Sequence, residues 1–304
     1  MKKLVLATIL AAITGAATAQ SVEVSGYIRE FITDSKTGSA ASVRGLTNEA
    51  PSSITFKGTE DLGGGLKARF VLQTAIVTDS PTTGADTQIG SLQSTVGFAN
   101  QYGSIDMGRQ KHAHRLVLDA VDPFLVAGFS SQAKVHNVQG SRLNNAIYTQ
   151  ANVGTVVAKY DHGFSEVDGT SATQTASVSA TALGVTGTVS YFKDDSASQN
   201  KSKSASLATT VPGLNTRVAA VVSKDETTTT STDAWSATAV QPVGQFDLKA
   251  AYGHKNLGDI TAYTVGAAYN FSKRTSVEVA HMKVTAASVA NESRITGIGV
   301  NHKF

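Results

Sequence analysis

The sequence predicts an all-β fold, a closed antiparallel β-barrel of sixteen strands that spans a membrane, and three observations lead to it. Short segments alternate apolar residues with small or polar ones, as Phe246, Leu248, Ala250 and Tyr252 do with their neighbours. The connections form two populations, tight turns with Gly, Asn or Pro and longer polar stretches. After residue 13 no window holds 18 apolar residues, which excludes spanning helices.

The composition excludes several function classes. Of the 304 residues, 16% are charged, against about 25% in a typical soluble domain, so a charge-rich disordered chain is excluded. Cysteine is absent, so disulfides, thiolate metal sites and cysteine nucleophiles are excluded as well. The basic residues are dispersed along the chain rather than clustered, so we expect no nucleic-acid partner.

The N-terminus has the pattern of a secretory signal peptide. Lys2 and Lys3 precede an apolar run over 4–13, which is shorter than a bilayer span, and Ala17 and Ala19 form a small-residue cleavage site. An uncleaved membrane anchor is the alternative that the short run disfavours. We expect residues 1–19 to be removed and residues 20–304 to form the barrel domain.

The alternation of short and long connections sets the number of strands. Seven tight turns alternate with eight long loops, and fifteen connections require sixteen strands. Closure into a barrel removes sheet edges, which are costly in lipid, and outer-membrane barrels have short periplasmic turns and long outer loops. A secreted β-sandwich or β-helix would not need two loop populations. The long loops cover 34–50, 77–89, 110–141, 161–171, 194–201, 225–232, 255–259 and 285–291.

Residues 53–68, with three glycines at 63–65, and five shorter segments further along the chain carry recognisable motifs. Together they resemble the general porins of Gram-negative bacteria, the trimeric sixteen-stranded type of β-proteobacteria. Residues 53–68 (SITFKGTEDLGGGLKA) resemble the first hairpin of that family. Further segments resemble the end of the fifth strand, the third loop, the start of the sixth strand, the last periplasmic turn and the closing strand. These segments are 107–110, 122–124, 144–148, 269–275 and 297–304.

The resemblance implies an outer-membrane homotrimer with a water-filled channel for passive diffusion of small hydrophilic solutes and ions. Such a channel uses no chemical step and no cofactor. The terminal Phe304 fits an aromatic belt at the membrane interface, and in the family a terminal Phe is read by the outer-membrane assembly machinery. We expect that machinery, outer-membrane lipid and lipopolysaccharide as partners, although the sequence identifies no lipid site.

The loop 110–141 is the longest connection and carries apolar residues that the other loops lack, so we expect it to fold against the inner wall. In the resembled family this third loop narrows the pore, and its acids face a basic wall across a transverse field. The corresponding loop acids here are Asp119 and Asp122. The basic candidates are Arg29, Lys57, Arg69 and Arg142, with Lys111 and Arg115 at the root of the loop. The apolar residues are Val117, Leu118, Phe124, Leu125, Val126 and Phe129.

Strand parity supports the inward placement of these cations. Ile28 and Phe56 belong to the apolar face of their segments, so Arg29 and Lys57 face the lumen, and Arg69 follows by the same argument. A slip of one residue would invert these assignments.

The match to the family leaves the ion preference open. Anion-selective relatives carry arginines where this chain has Ser53 and Gln93, and Arg142 alone remains at its matching position. Asp106 adds an inward acid on the fifth strand.

Other sites and functions have weaker support. His112 and His114 suggest a metal site, but no third His or Cys lies nearby, so we expect no metal. A substrate-specific channel is the main alternative. An aromatic ladder along the path would support it, but the lumen faces show none. An outer-membrane enzyme has no Gly-x-Ser-x-Gly motif to support it, and the loops are short for an adhesin.

Overall fold

The computed structural model describes residues 21–48, 52–78, 88–125, 127–136, 141–165, 172–195 and 199–304, and shows a single antiparallel sheet with two short helices in one of its loops. The predicted signal peptide, 1–19, lies outside the described residues, so its removal stays a prediction. Neither helix in the described part of the chain is long and apolar enough to cross a membrane.

The strands and helices have the following bounds. The strands are β1 Ser21–Thr37, β2 Val43–Thr47, β3 Ser52–Gly63, β4 Leu66–Ile76, β5 Gln93–Asn100, β6 Gly103–Lys111, β7 Arg142–Val153, β8 Val156–Gly163, β9 Thr173–Ala182, β10 Val185–Asp194, β11 Lys201–Thr210, β12 Arg217–Glu226, β13 Ser231–Val243, β14 Phe246–Lys255, β15 Ile260–Asn270, β16 Thr275–Thr285 and β17 Ser293–Lys303. The helices are α1 Ala113–Val121 and α2 Gln132–Val135, and a 3₁₀ turn covers Val289–Asn291.

Two of these strands share one position in the barrel. β2 pairs with residues 31–35 of β1, and β3 pairs with residues 21–27 of the same strand. The chain therefore passes sixteen times around the sheet, which confirms the predicted sixteen-stranded barrel. The seven predicted turns join directly paired strands and define the turn end of the barrel; the long connections define the loop end.

The barrel closes between β1 and β17, where Tyr27 faces Lys303 and Thr37 faces Ser293. Phe304 continues this ladder, because its N–H donates to the Gly26 carbonyl at 3.0 Å and its own carbonyl accepts from Gly26 N–H at 2.8 Å. A Cβ on Gly26 would lie 2.0 Å from the Phe304 ring. Gly26 thus leaves the space that the terminal ring occupies.

The outer face of the barrel is apolar and carries aromatic side chains in two belts, as expected of a surface in lipid. The belt near the loop end is formed by Tyr160, Tyr191, Trp235, Tyr252 and Tyr263. The belt near the turn end includes Phe246, Tyr269, Phe271 and Phe304, and the Tyr269 ring packs edge to face with the rings of Phe246 and Phe271.

The loop between β6 and β7 folds into the lumen, which confirms the predicted inward third loop. Helix α1 packs on β8–β12, and α2 packs on β13–β15. Phe124, Phe129 and Val135 of the loop are fully buried in one apolar cluster with Phe31 of β1. Leu125 is exposed, and Val126 lies outside the described residues.

Small residues on the inner wall make this packing possible. A Cβ on Gly253 would lie 2.8 Å from Val135, and one on Gly266 would lie 3.1 Å from the Phe124 ring. Protein interiors hold few voids, so a larger side chain here would displace the loop. The Ser-, Ala- and Gly-rich strands β9–β17 therefore form the surface on which the loop rests.

Candidate functional site

A recess of about 270 Å³ lies inside the barrel, between α1 and the wall formed by β4–β8. We call it the lumenal recess. Leu116 of α1 forms one side of it. Its charged lining consists of Arg69, Asp106, Lys111, Arg142, Lys159 and Asp161. Four cations thus share the recess with two carboxylates.

Helix α1, which borders the recess, starts on two side-chain caps. His112 is the N-cap, and its Nδ1 accepts from the N–H of Arg115 at 3.2 Å. The carboxylate of Asp161 on β8 accepts the Ala113 N–H. These bonds satisfy helix-start donors that would otherwise lack a partner. His112 therefore has a structural role, and among the described residues no cluster of three or more His, Cys, Asp or Glu could hold a metal ion.

The predicted loop acid Asp119 contacts two of the predicted cations. One of its carboxylate oxygens lies 2.6 Å from Lys111 Nζ, and the other lies 2.8 Å from Arg115 Nε. All three side chains belong to the loop or its root. Asp119 thus pairs with cations of its own segment instead of facing a basic wall, and the three groups together keep one positive charge.

Arg69 is held on the wall by Asp106. Its Nε donates to Oδ1 of Asp106 at 2.8 Å, and its second nitrogen contacts Oδ2, which makes a bidentate pair. Gly97 lies between them in the sheet, in register with both. A Cβ on Gly97 would lie 2.5 Å from Asp106 Oδ1, so the ion pair crosses β5 because that position has no side chain.

Arg142 lies where the loop rejoins the barrel. Its Nε donates to the Leu92 carbonyl at 2.6 Å, and a terminal nitrogen donates to Ser141 Oγ at 3.2 Å. These bonds fix the guanidinium beside the recess that it lines. The structure therefore brings Arg69, Lys111 and Arg142 to one site.

Lys159 and Asp161 are lining residues that the sequence analysis missed. Both face inward on β8, on either side of the outward Tyr160. The sequence contained a signal for them, because Tyr160 belongs to the apolar outer face and its two neighbours must therefore face the lumen.

Arg29 does not line the recess, which corrects the expectation for this residue. It is 1% exposed, and it pairs with Glu278 at 3.2 Å, which in turn contacts Lys249 at 2.9 Å. Its guanidinium lies 4.6 Å from the centre of the Phe31 ring. Arg29 thus belongs to a buried ion network beside the apolar cluster.

Asp122 is also buried, so the expectation that it forms the acidic side of the constriction is corrected. Its carboxylate accepts the Phe124 N–H at 2.8 Å and a hydrogen bond from the Ser130 hydroxyl. An aspartate that binds the backbone two residues ahead shapes a turn. Asp122 therefore determines the path of the loop.

Lys57 faces the lumen outside the recess. It pairs with Glu23 at 2.9 Å near the turn end, and both side chains are more than half exposed. Its position outside the recess corrects the expectation that Lys57 belongs to the basic side of the constriction.

Two buried histidines fasten the loop to the opposite wall. His114 Nδ1 lies 2.8 Å from Ser190 Oγ and its Nε2 lies 2.9 Å from Ser202 Oγ. His136 makes the same pair of contacts, each 2.8 Å, with Ser223 and Ser236.

Burial controls the charge of both histidine rings. Desolvation, with smaller contributions from His112 and His136, lowers the pKa of His114 from 6.5 to about 3. Desolvation and the nearby Lys255 lower the pKa of His136 from 6.5 to about 4. The rings are therefore neutral at neutral pH, so each can donate one hydrogen bond and accept another.

Backbone carbonyls complete the attachment. Thr238 on β13 donates to the Val121 carbonyl at 2.9 Å, and Thr264 on β15 donates to the Phe129 carbonyl at 2.8 Å. The loop is thus fastened at both ends of α1, at Phe129 and at His136. Its attachment to strands far apart in sequence fixes how far it extends into the lumen.

Comparisons with known proteins agree with this architecture. A model of the family described as Gram-negative porin matches residues 6–287. Outer membrane porin protein 32 of Delftia acidovorans is 30% identical over 179 residues, which are 55% of this chain and 50% of that protein. The match thus spans about half the length of this curated relative.

Solved structures share the fold. An anion-selective porin from Comamonas acidovorans superimposes with a TM-score of 0.76 at 22% identity, over 94% of this chain and 100% of that one. The trimer form of OmpT, an outer membrane protein of Vibrio cholerae, superimposes with a TM-score of 0.72 at 14% identity, over 94% and 100%.

Proposed function

This chain belongs to the Gram-negative porin family, and from that premise we propose that it forms a water-filled outer-membrane channel for passive diffusion of small hydrophilic solutes and ions. The observation that carries the proposal is the loop fastened across the lumen beside a charged recess. A barrel of sixteen strands has a wide lumen, and the loop narrows it. Transport then needs no chemical step, only weak interactions that allow a solute to leave.

We further propose that the recess forms the constriction and favours anions. Its two carboxylates are both engaged, because Asp106 holds Arg69 and Asp161 accepts from Ala113 and Thr175. Asp161 keeps its charge, and Asp119 pairs with Lys111 and Arg115 at the root of the loop. The five cations of the recess and the loop root still exceed the three carboxylates by two charges, so the potential along the path is positive. Similarity to a protein described as an anion-selective porin supports this preference.

Planar-bilayer recording tests both statements. The purified chain should give stepwise increases in conductance, and a salt gradient should give a reversal potential of the sign produced by anion permeation. A bilayer that stays silent overturns the channel. A reversal potential of the opposite sign overturns the anion preference and leaves the channel intact.

We propose a homotrimer, since the family resemblance implies one and a structural neighbour is described in a trimer form. Unheated protein should migrate on a gel at about three times the mass of heated protein, and native mass spectrometry should give the same stoichiometry. We also propose that the assembly machinery reads Phe304, whose backbone closes the barrel on Gly26. Removing Phe304 should then reduce outer-membrane insertion in cells more than refolding in detergent.

A further inference from the structure

The outer wall over β9–β12 contains an apolar groove of about 560 Å³. Ala180, Gly187, Ala205 and Ala220 lower the surface there, between larger aliphatic neighbours. Porin barrels present this face to lipid. The outward residues that line the groove are Val178, Ala180, Gly187, Val189, Ala205, Leu207, Ala220 and Val222.

Two lysines interrupt the aromatic belt directly above this groove. On β10, Tyr191 belongs to the belt and faces Lys203 of β11 across the ladder. Lys203 in turn faces Lys224 of β12. One row lower, Ala205 faces Val222, at the start of the groove. Cationic and apolar surfaces thus meet at the depth where membrane head groups meet acyl chains.

The local charges leave one of these cations uncompensated. Lys224 lies 3.6 Å from Glu226 and faces Asp233 across the ladder. Above them Lys193 pairs with Asp195 at 2.6 Å. The outward charges in this region are Lys193, Lys201, Lys203, Lys224, Asp195, Glu226 and Asp233.

Lys203 takes part in no ion pair within the described part of the chain. Like charges directly opposite each other in a sheet are destabilising. An anion bound between Lys203 and Lys224 would remove that repulsion, so the pair is suited to hold an anionic group at this depth.

We propose that this surface binds a phosphorylated, multiply acylated lipid of the outer leaflet, of the lipopolysaccharide class. Lys203 and Lys224 bind a phosphate, and an acyl chain lies in the groove beneath them. A free phosphate would use the lysines alone, whereas an amphiphile fills both parts of the site. The inference rests on the proposed function only in placing this barrel in the outer membrane.

Trp235 provides a local probe, because it is the one tryptophan of the sequence and faces Val222 across the β12–β13 ladder. Purified lipid A titrated into the full chain in detergent should change the Trp235 emission to saturation. The variant K203E should weaken this binding about fivefold or more, since one lysine near an anionic lipid surface contributes ~1 kcal/mol. A205L, which fills the groove without a change of charge, should also weaken it.

K283E is the matched control, because Lys283 is likewise an exposed outward lysine near the loop end, on β16. It should leave the Trp235 titration unchanged. Dephosphorylated lipid A should bind more weakly than lipid A, and inorganic phosphate should not compete at the same concentration. Equal binding of lipid A by K203E and the unchanged chain would falsify the proposal, as would equally effective competition by inorganic phosphate.

Two further measurements distinguish a lipid site from a contact between copies and from an effect on the pore. If K203E converts the trimer to monomers, the face is a contact between copies and the lipid site is wrong. Bilayer conductance of K203E should equal that of the unchanged chain, because Lys203 is outside the lumen. A silent bilayer for the unchanged chain would overturn the channel, whereas the lipid titration would still report on the outer surface.

Discussion

The inner wall of the barrel has two parts with different chemistry. The strands β4–β8, which we call the charged wall, present long polar side chains such as Arg69 and Lys159 to the lumenal recess. The strands β9–β17, the contact wall, present mainly Ser, Thr, Ala and Gly, and the loop rests on them. The difference shows how one sheet both holds a constriction and lines a path. Small residues make room for the loop, and charged residues act on what passes it.

The contact wall and the adjoining strand β1 share an ion network, which the loop covers. Glu278 binds Arg29 and Lys249, and Lys249 lies 5.8 Å from the centre of the Phe124 ring. Removing one member of this network would leave a buried charge without its partner, which is strongly destabilising. Charges on the contact wall therefore stabilise the packing, whereas those on the charged wall are available to solutes.

Deletion of residues 117–135, which removes the loop from the contact wall, should have the largest effect on the channel. Without the loop body the contact wall faces water, and single-channel conductance should roughly double or more, because a sixteen-stranded barrel is then limited by its own lumen. Single-channel recording in planar bilayers measures this. Unchanged conductance would mean that the loop does not narrow the pore, and a trimer-shift gel controls for folding.

Substitution of Gly253 by Leu should have an intermediate effect. A Cβ added there would lie 2.8 Å from Val135 and 3.0 Å from Ser236, so overpacking by a leucine should weaken the loop attachment by about 1–3 kcal/mol. Conductance and open-channel noise should fall between those of the unchanged and the deleted chain. A Cβ added to Gly45 of β2 would have no atom within 4 Å, so G45L is the control and should behave as the unchanged chain does.

Reversing the charge of Arg142 on the charged wall should alter the ion selectivity of the channel and leave its conductance largely intact. R142E changes the recess by two charge units, worth ~0.8 kcal/mol at ~10 Å in water, so the anion-to-cation permeability ratio should fall about fourfold. Reversal potentials in a low-salt gradient measure this ratio. K283E, with the same charge change on the outer surface, should leave it unaltered. An unchanged ratio in R142E contradicts the assignment of the recess as the constriction.

The sequence predicted the charged wall better than the contact wall, for a physical reason. Strand parity is local, so it identified the lumen-facing Arg69, and it also contained the signal for Lys159. The burial of Arg29 depends on Glu278, which is 249 residues away and becomes its neighbour only when the barrel closes. Strand parity correctly predicted that Arg29 points to the inside of the barrel. Parity does not show which part of the inner wall the loop covers.

The loop itself was predictable in outline and not in detail. Its apolar residues, Phe124 and Phe129 among them, predicted an inward fold, because such residues are costly to expose. The role of Asp122 depends on its bonds to Phe124 and Ser130 within the folded loop, which composition does not specify. The outer groove escaped detection because it requires the register between four strands.

The attachment of the loop to the contact wall should also depend on pH. In the folded chain the pKa of His136 is about 4 and that of His114 is about 3, whereas both would titrate near 6.5 once exposed. The detached loop therefore binds protons more readily than the attached one. The attachment keeps its full stability above pH 6.5 and loses it as the pH falls, by ~2 kcal/mol per histidine at pH 5.

Open-channel noise should consequently rise between pH 7 and pH 5. The double variant H114Q/H136Q should flatten this dependence, because an amide can hydrogen-bond the same serines without titrating between these pH values. H302Q is the control, since His302 is exposed at the turn end and bonds Thr275. If the double variant keeps the pH dependence of the unchanged chain, groups on the charged wall titrate instead, and the contact wall is not the pH-sensitive part of the pore.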